Sequence, residues 1–156
     1  MDMDFLRRRL SSDEINAMPL YHYTGPVHVI RCLEDWEQAL PDLRDEGLLG
    51  FDTETRPSFR KGRRNAPALI QLATAQAVYL VQLAKLPFGA PVVEILANPS
   101  QVKAGVGIGD DMRDLARLHA FEPAGLVDLG GVARAHRLSS QGLRTLAANF
   151  FGWRIS

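Results

Sequence analysis

Three apolar runs in close succession constrain this chain more than any other feature of it. Gly47-Leu48-Leu49-Gly50-Phe51-Asp52-Thr53, Ala68-Leu69-Ile70-Gln71-Leu72-Ala73 and Val78-Tyr79-Leu80-Val81 are each of strand length and are joined by short connections. Such an arrangement predicts an antiparallel meander. Ahead of it, the β-branched run from Val27 to Ile30 reads as a first strand. Glu34 to Leu43 then places Trp36, Ala39, Leu40 and Leu43 at helical spacing, with Pro41 expected to bend or shorten the helix. Behind it the pattern changes. Val92 to Leu96 reads as helix, Val102 to Ile108 as strand, Asp111 to His119 as helix and Leu126 to Leu129 as a short extended piece, and two helices finish the chain. Strand and helix in alternation imply parallel pairing. The expected fold class is therefore α/β, with a mixed sheet in which an antiparallel meander is followed by parallel strands, flanked by helices.

Composition sets the outer limits. With 156 residues, 46% hydrophobic and 23% charged, the chain has the make-up of one globular domain able to bury its own core. Residues 1–26 read as an appendage with one short helix, capped by Ser11 or Ser12 and ending before Pro19. Residues 27–156 read as the domain proper. The formal net charge is zero, which argues against a generally cationic coat for nucleic acid, so any such contact needs a local patch. Cys32 is the only cysteine; this excludes an intrachain disulfide and a cysteine zinc site, fits a reducing compartment, and leaves a small buried side chain as the expectation. The opening MDMDFLRRRL lacks the apolar core of a signal peptide, and no run reaches the ~18 apolar residues of a membrane span. A cytoplasmic protein is expected.

Chemistry concentrates in two places. Residues i and i+2 of a strand share a face, so Asp52 and Glu54 project together while Thr53 points the other way. The preceding run LLGF suggests an interior strand, where two carboxylates held side by side repel and a divalent cation relieves the repulsion, with an exposed edge bearing two solvated acids as the plain alternative; oxygen donors of this kind suit Mg²⁺ or Mn²⁺. The second place is Lys103-Ala104-Gly105-Val106-Gly107-Ile108-Gly109-Asp110-Asp111-Met112-Arg113-Asp114-Leu115, a strand entering a helix through glycines. It lacks the ending of a P-loop and a full GxGxxG. Asp110 is expected to act as an N-cap. Asp111 shares a helix face with Leu115 and Leu118, which are expected to face the core, so its carboxylate should lean toward the sheet.

FDTET, followed by RPSFRKGRRNAPALIQLAT and later by KAGVGIGDDMRDL, resembles the first two exonuclease motifs of the DEDD superfamily of 3'-5' exonucleases, in the ribonuclease D / Werner-type branch, over residues 47–153. The resemblance implies a ribonuclease H-like fold. It implies a site with two Mg²⁺ or Mn²⁺ ions, one activating a water and the other stabilising the leaving 3'-oxygen. Asp52 would bridge the ions, and Glu54 and Asp111 would each support one. The implied partner is a nucleic acid with a 3' end, DNA or RNA, expected to be single-stranded.

Around these residues lie further candidates. Arg56, Arg60, Lys61, Arg63 and Arg64, with no acid among them, form a candidate phosphate-binding loop in which Phe59 is placed to stack on a base; a solvated polar loop is the plain alternative. Gln71 interrupts an apolar strand, and in the family its position faces the site, which implies a supporting role in nucleic-acid binding; a core or edge glutamine is the plain alternative. Asp128 matches a position read as structural, near a helix start.

The family also carries a fourth aspartate, preceded four residues earlier by tyrosine or histidine. From Leu129 to Ser156 there is no Asp or Glu, the tyrosines stand at 21, 23 and 79, and four residues after His136 comes Ser140. The chain thus reads as C-terminally incomplete relative to the motif set. Weak or absent hydrolysis by these residues alone is expected, with a nucleic-acid or protein binding module on the same fold as the alternative function. Phe150, Phe151 and Trp153 are expected to be core; without their usual cover they would favour a homodimer through a C-terminal apolar surface.

Overall fold

The computed structural model describes residues 6–57, 62 and 65–156. In chain order its elements are α1 (Ser12–Ala17), β1 (Val27–Ile30), α2 (Leu33–Asp45), β2 (Leu48–Thr55), β3 (Pro67–Ala73), β4 (Val78–Gln82), α3 (Ala90–Leu96), β5 (Val102–Gly105), α4 (Ile108–Leu118), β6 (Leu126–Asp128), α5 (Leu129–Ala135) and α6 (Leu143–Phe151). The strands form a six-stranded sheet in the order β1-β4-β3-β2-β5-β6. The β2-β3-β4 meander is antiparallel, whereas β1 joins β4 and β5 joins β2 in parallel. This is the mixed sheet that the pattern of apolar runs predicts. Two compact units divide the chain, one comprising Gly25–Ala104 with Ile108–Leu126, the other Met1–Thr24, Gly105–Gly107 and Val127–Ser156.

In the first unit the core covers one face of the sheet. Leu49 and Phe51 from β2, Ile70 and Leu72 from β3, and Tyr79 and Val81 from β4 alternate inward along their strands, and cross-strand register pairs Phe51 with Leu72 and Leu72 with Tyr79. Trp36 and Leu43 of α2, Ile95 and Leu96 of α3, and Met112 and Leu115 of α4 close over them. Helix α2 runs through Pro41 to Asp45 instead of stopping there. Burial of Trp36, Ala39 and Leu43 holds it, and Pro41 lies on the exposed side, where the carbonyl that proline leaves free is open to solvent.

At the start of β5 a small polar network is buried with the core. Lys103 is 0% exposed and donates from Nζ to the carbonyls of Asn98 and Gln101, both at 2.7 Å. Gln101 donates in turn to the carbonyls of Leu43 and Glu46. Gly125 belongs to this corner by necessity: its φ is +66°, and a Cβ there would stand 2.2 Å from the Gln101 carbonyl oxygen.

The second unit is built from short helices. Ser11 caps α1 in a reciprocal box, its hydroxyl accepting from the Glu14 N–H at 3.2 Å while Glu14 accepts from the Ser11 N–H at 2.8 Å. Asp128 caps α5, its Oδ1 accepting from the N–H groups of Gly107, Gly130 and Gly131, which is the structural role expected of it. Backbone bonds from Tyr21 to Arg154 and from Arg154 to Pro19 tie the end of the chain to the segment after α1. The rings of Tyr21 and Phe151 both stack on Trp153, with centroids 4.3 and 5.0 Å away.

Several burial expectations are overturned. Cys32 is exposed, because it sits at the N-cap of α2 ahead of the first inward-facing residue. Phe150, Phe151 and Trp153 are exposed, not core. Leu118, the last residue of α4, is 46% exposed. No helix among the described residues is long and apolar enough to cross a membrane.

Candidate active site

Strand β2 presents different chemistry on its two faces. Leu49 and Phe51 are buried on the core side, and Thr53 continues that row. Asp52 and Glu54 stand on the other side and are exposed, as strand alternation requires. The register with β3 sets Asp52 opposite Gln71 and Glu54 opposite Leu69. Residues directly opposite in an antiparallel pair share a face with Cβ atoms about 5 Å apart, so Gln71 is brought beside Asp52. The register shifts between Glu54 and Thr55, where β2 begins to leave the ladder.

Electrostatics single out Asp52. Desolvation pushes its carboxyl above the usual carboxylate range; the Thr53 N–H, donating to Oδ1 at 2.9 Å, works against this, and the charge of Glu54 adds to it. A group so placed gains from a cation, which removes both the repulsion and the loss of hydration.

Asp111 arrives from helix α4. It is half-buried and leans toward the sheet as expected, but its partner there is Thr53, whose hydroxyl donates to Asp111 Oδ1 at 2.7 Å. Asp110 is not the N-cap: α4 starts at Ile108, so Asp110 lies in the first turn, where the helix dipole favours it, and pairs with Arg113. Among the described residues no group of three His, Cys, Asp or Glu side chains is arranged to hold a metal ion. The donor chemistry that fits a hard divalent cation is that of the adjacent pair, Asp52 and Glu54.

Of the basic loop, the structure describes the two ends. Arg56 is exposed just past β2, and the Asn65 side-chain amide donates to the carbonyls of Arg56 at 2.7 Å and Pro57 at 3.1 Å, tying the loop's ends together. Phe59, Arg60, Lys61, Arg63 and Arg64 lie outside the described residues. Thr53 is the residue the sequence reading passed over. Its signal was present, since a hydroxyl in line with Leu49 and Phe51 faces the core and needs a partner there.

A family model described as 3'-5' exonuclease matches residues 27–156. This chain belongs to the 3'-5' exonuclease family. The family was legible in FDTET and KAGVGIGDDMRDL before the fold was known. Among relatives, the chain is 34% identical over 93 residues to the bifunctional 3'-5' exonuclease/ATP-dependent helicase WRN of Mus musculus, a match covering 58% of this chain and 7% of that protein. Among solved structures it is similar to the EXD2 exonuclease domain, with 26% identity and a TM-score of 0.62 over 83% of this chain and 72% of that one; that domain has also been crystallised after soaking in Mg with GMP and in Mn. The RNase D of Trypanosoma brucei in complex with GMP shares the fold, at a TM-score of 0.75 and 17% identity over 92% of this chain and 45% of that one.

Proposed function

We propose that this exonuclease-family domain removes nucleotides from the 3' ends of DNA or RNA, single-stranded for preference, using divalent metal held by Asp52 and Glu54 and completed by Asp111 once its carboxylate turns from the Thr53 hydroxyl. The observation that carries the proposal is the placement of Asp52 beside Glu54 on the exposed face of β2, with the Asp52 carboxyl pushed up by desolvation and by its neighbour. The Mg and Mn soaks of the EXD2 domain support the choice of cation. When bound, divalent metal supplies charge neutralisation at the phosphodiester and a more acidic water.

The chain's own residues do the rest. The Thr53 N–H orients Asp52, and the Thr53 hydroxyl orients Asp111, so one residue steadies carboxylates from two elements. Gln71, opposite Asp52 in the ladder, offers a neutral amide to a phosphate or sugar oxygen. Arg56 stands where β2 ends and holds a guanidinium toward solvent for a phosphate, and Phe59, Arg60, Lys61, Arg63 and Arg64 are proposed to extend that contact along the strand. A cytoplasmic setting is part of the same proposal.

The test is direct. Purified chain is titrated with Mn²⁺ by electron paramagnetic resonance and incubated with a 5'-labelled single-stranded oligonucleotide. Saturable Mn²⁺ binding that Asp52→Asn and Glu54→Gln each weaken, together with strand retention and at most slow metal-dependent shortening from the 3' end that the same changes abolish, is the expected result. Metal binding indifferent to both substitutions would remove Asp52 and Glu54 from the proposal. Mn²⁺ binding and strand retention without shortening would leave the metal site standing and move the function to the binding module.

A further inference from the structure

Asp111 is held on the opposite side of β2 from the site it is to complete. Helix α4 lies on the core side, where its Ile108, Met112 and Leu115 are buried, and Asp111 accepts there from the Thr53 hydroxyl at 2.7 Å. Thr53 points to the core side, whereas Asp52 and Glu54 point to the open side. A carboxylate bonded to Thr53 cannot share a ligand with that pair. In keeping with this, no group of three metal-binding side chains is assembled among the described residues.

The sheet leaves a way round. β5 is in register with β2 only from Leu48 to Gly50, so the edge of β2 that faces β5 has no partner strand from Phe51 onward. β5 ends at Gly105, Gly107 turns the chain with a φ of +71°, and α4 begins at Ile108 with Asp111 in its first turn. Asp111 is thus delivered to the place where the sheet opens. A change of side-chain rotamer there takes the carboxylate past the free edge of β2 instead of through the ladder.

We propose that Thr53 is a positioning residue that latches Asp111 on the core side of β2 in the metal-free protein, so that Asp111 joins the metal ligands only by giving up the hydroxyl bond. This deepens the reading of Asp52, Glu54 and Asp111 as metal ligands and rests on it. The latch keeps a third carboxylate apart from two whose charges already repel. It also lowers metal affinity by the worth of one hydrogen bond.

The test is the sign of a change in Mn²⁺ affinity, measured on the whole chain by electron paramagnetic resonance. Thr53→Val removes the hydroxyl and keeps the N–H that donates to Asp52. It should tighten Mn²⁺ binding about fivefold, the equivalent of about 1 kcal/mol, and Thr53→Ala should do likewise, so that the result does not hang on the folding of one variant. Thr53→Ser should bind as the parent does. In an Asp111→Ala background Thr53→Val should change nothing, because no carboxylate is left to release. Weaker or unchanged binding in Thr53→Val, or tightening that persists without Asp111, would overturn the latch. A hydroxyl that served packing alone would lower the urea midpoint without tightening the ion. Asp52→Asn separates the latch from the site beneath it: if that change weakens Mn²⁺ binding and Thr53→Val does not tighten it, the latch alone falls, and if binding is indifferent to Asp52→Asn, both fall.

Discussion

The two faces of β2 are built from alternate residues of one strand and do opposite things. On the core side Leu49 and Phe51 are sealed under helices, and the polar groups admitted there are fixed by partners: Thr53 by Asp111, and Lys103, opposite Leu49 in the parallel register, by two carbonyls. On the open side Asp52 and Glu54 lie together, and desolvation, with the charge of Glu54 adding to it, makes Asp52 resist ionisation. A core tolerates polarity when each group is paired, whereas a site keeps polarity unpaired for a ligand to complete. The face where packing gives out is the face with chemistry left to do.

Substitutions on the two faces should therefore separate stability from metal binding. The largest effect belongs to the core face: Phe51→Ala should cost about 3–5 kcal/mol by urea denaturation, and a cost near zero would mean that this face is not the core. On the open face Asp52→Asn should lower Mn²⁺ affinity by about 10- to 100-fold while leaving the urea midpoint unchanged or slightly higher, because the neutral side chain no longer opposes Glu54. A fall in both would blur the distinction between the faces.

Lys103 offers a pH-dependent probe of the core side. Burial pushes its ammonium down to about 8 from the ordinary 10.5, so between those values the unfolded chain binds more protons than the folded one. Stability should accordingly rise with pH across that window, by up to about 1.4 kcal/mol per pH unit for one proton. Lys103→Met should remove the rise, and identical slopes in variant and parent would show that the lysine is not desolvated. The smallest effect is expected where the faces meet. Thr53→Val keeps the shape but leaves Asp111 without its hydroxyl donor, and should cost about 1 kcal/mol, with Thr53→Ser restoring most of it.

Much of this was readable from residue order. The meander follows from three apolar runs of period two, and the parallel addition of β5 from the later alternation of strand and helix, whereas the parallel place of β1 beside β4 was not legible there. The pairing of Asp52 with Glu54 follows from strand parity alone. Where the sequence misled, the reason was tertiary in each case. Pro41 signals a break, but buried neighbours on either side carry the helix past it. Asp110 has the composition of a cap, but α4 gains its first turn earlier, at Ile108. Leu118 keeps the spacing of a core residue but is the last residue of its helix and is left exposed.

What the sequence determined by itself is membership and parity: the exonuclease family, and the two acids that share one face of β2. Both rest on local order along the chain, which covalent geometry converts into direction without reference to distant residues. Only the tertiary structure decided where Asp111 goes, because its hydrogen bond to Thr53 joins residues 58 positions apart. The same holds for the ammonium of Lys103, held by carbonyls inside the core. Partners and burial are properties of packing, and packing is settled by every element at once.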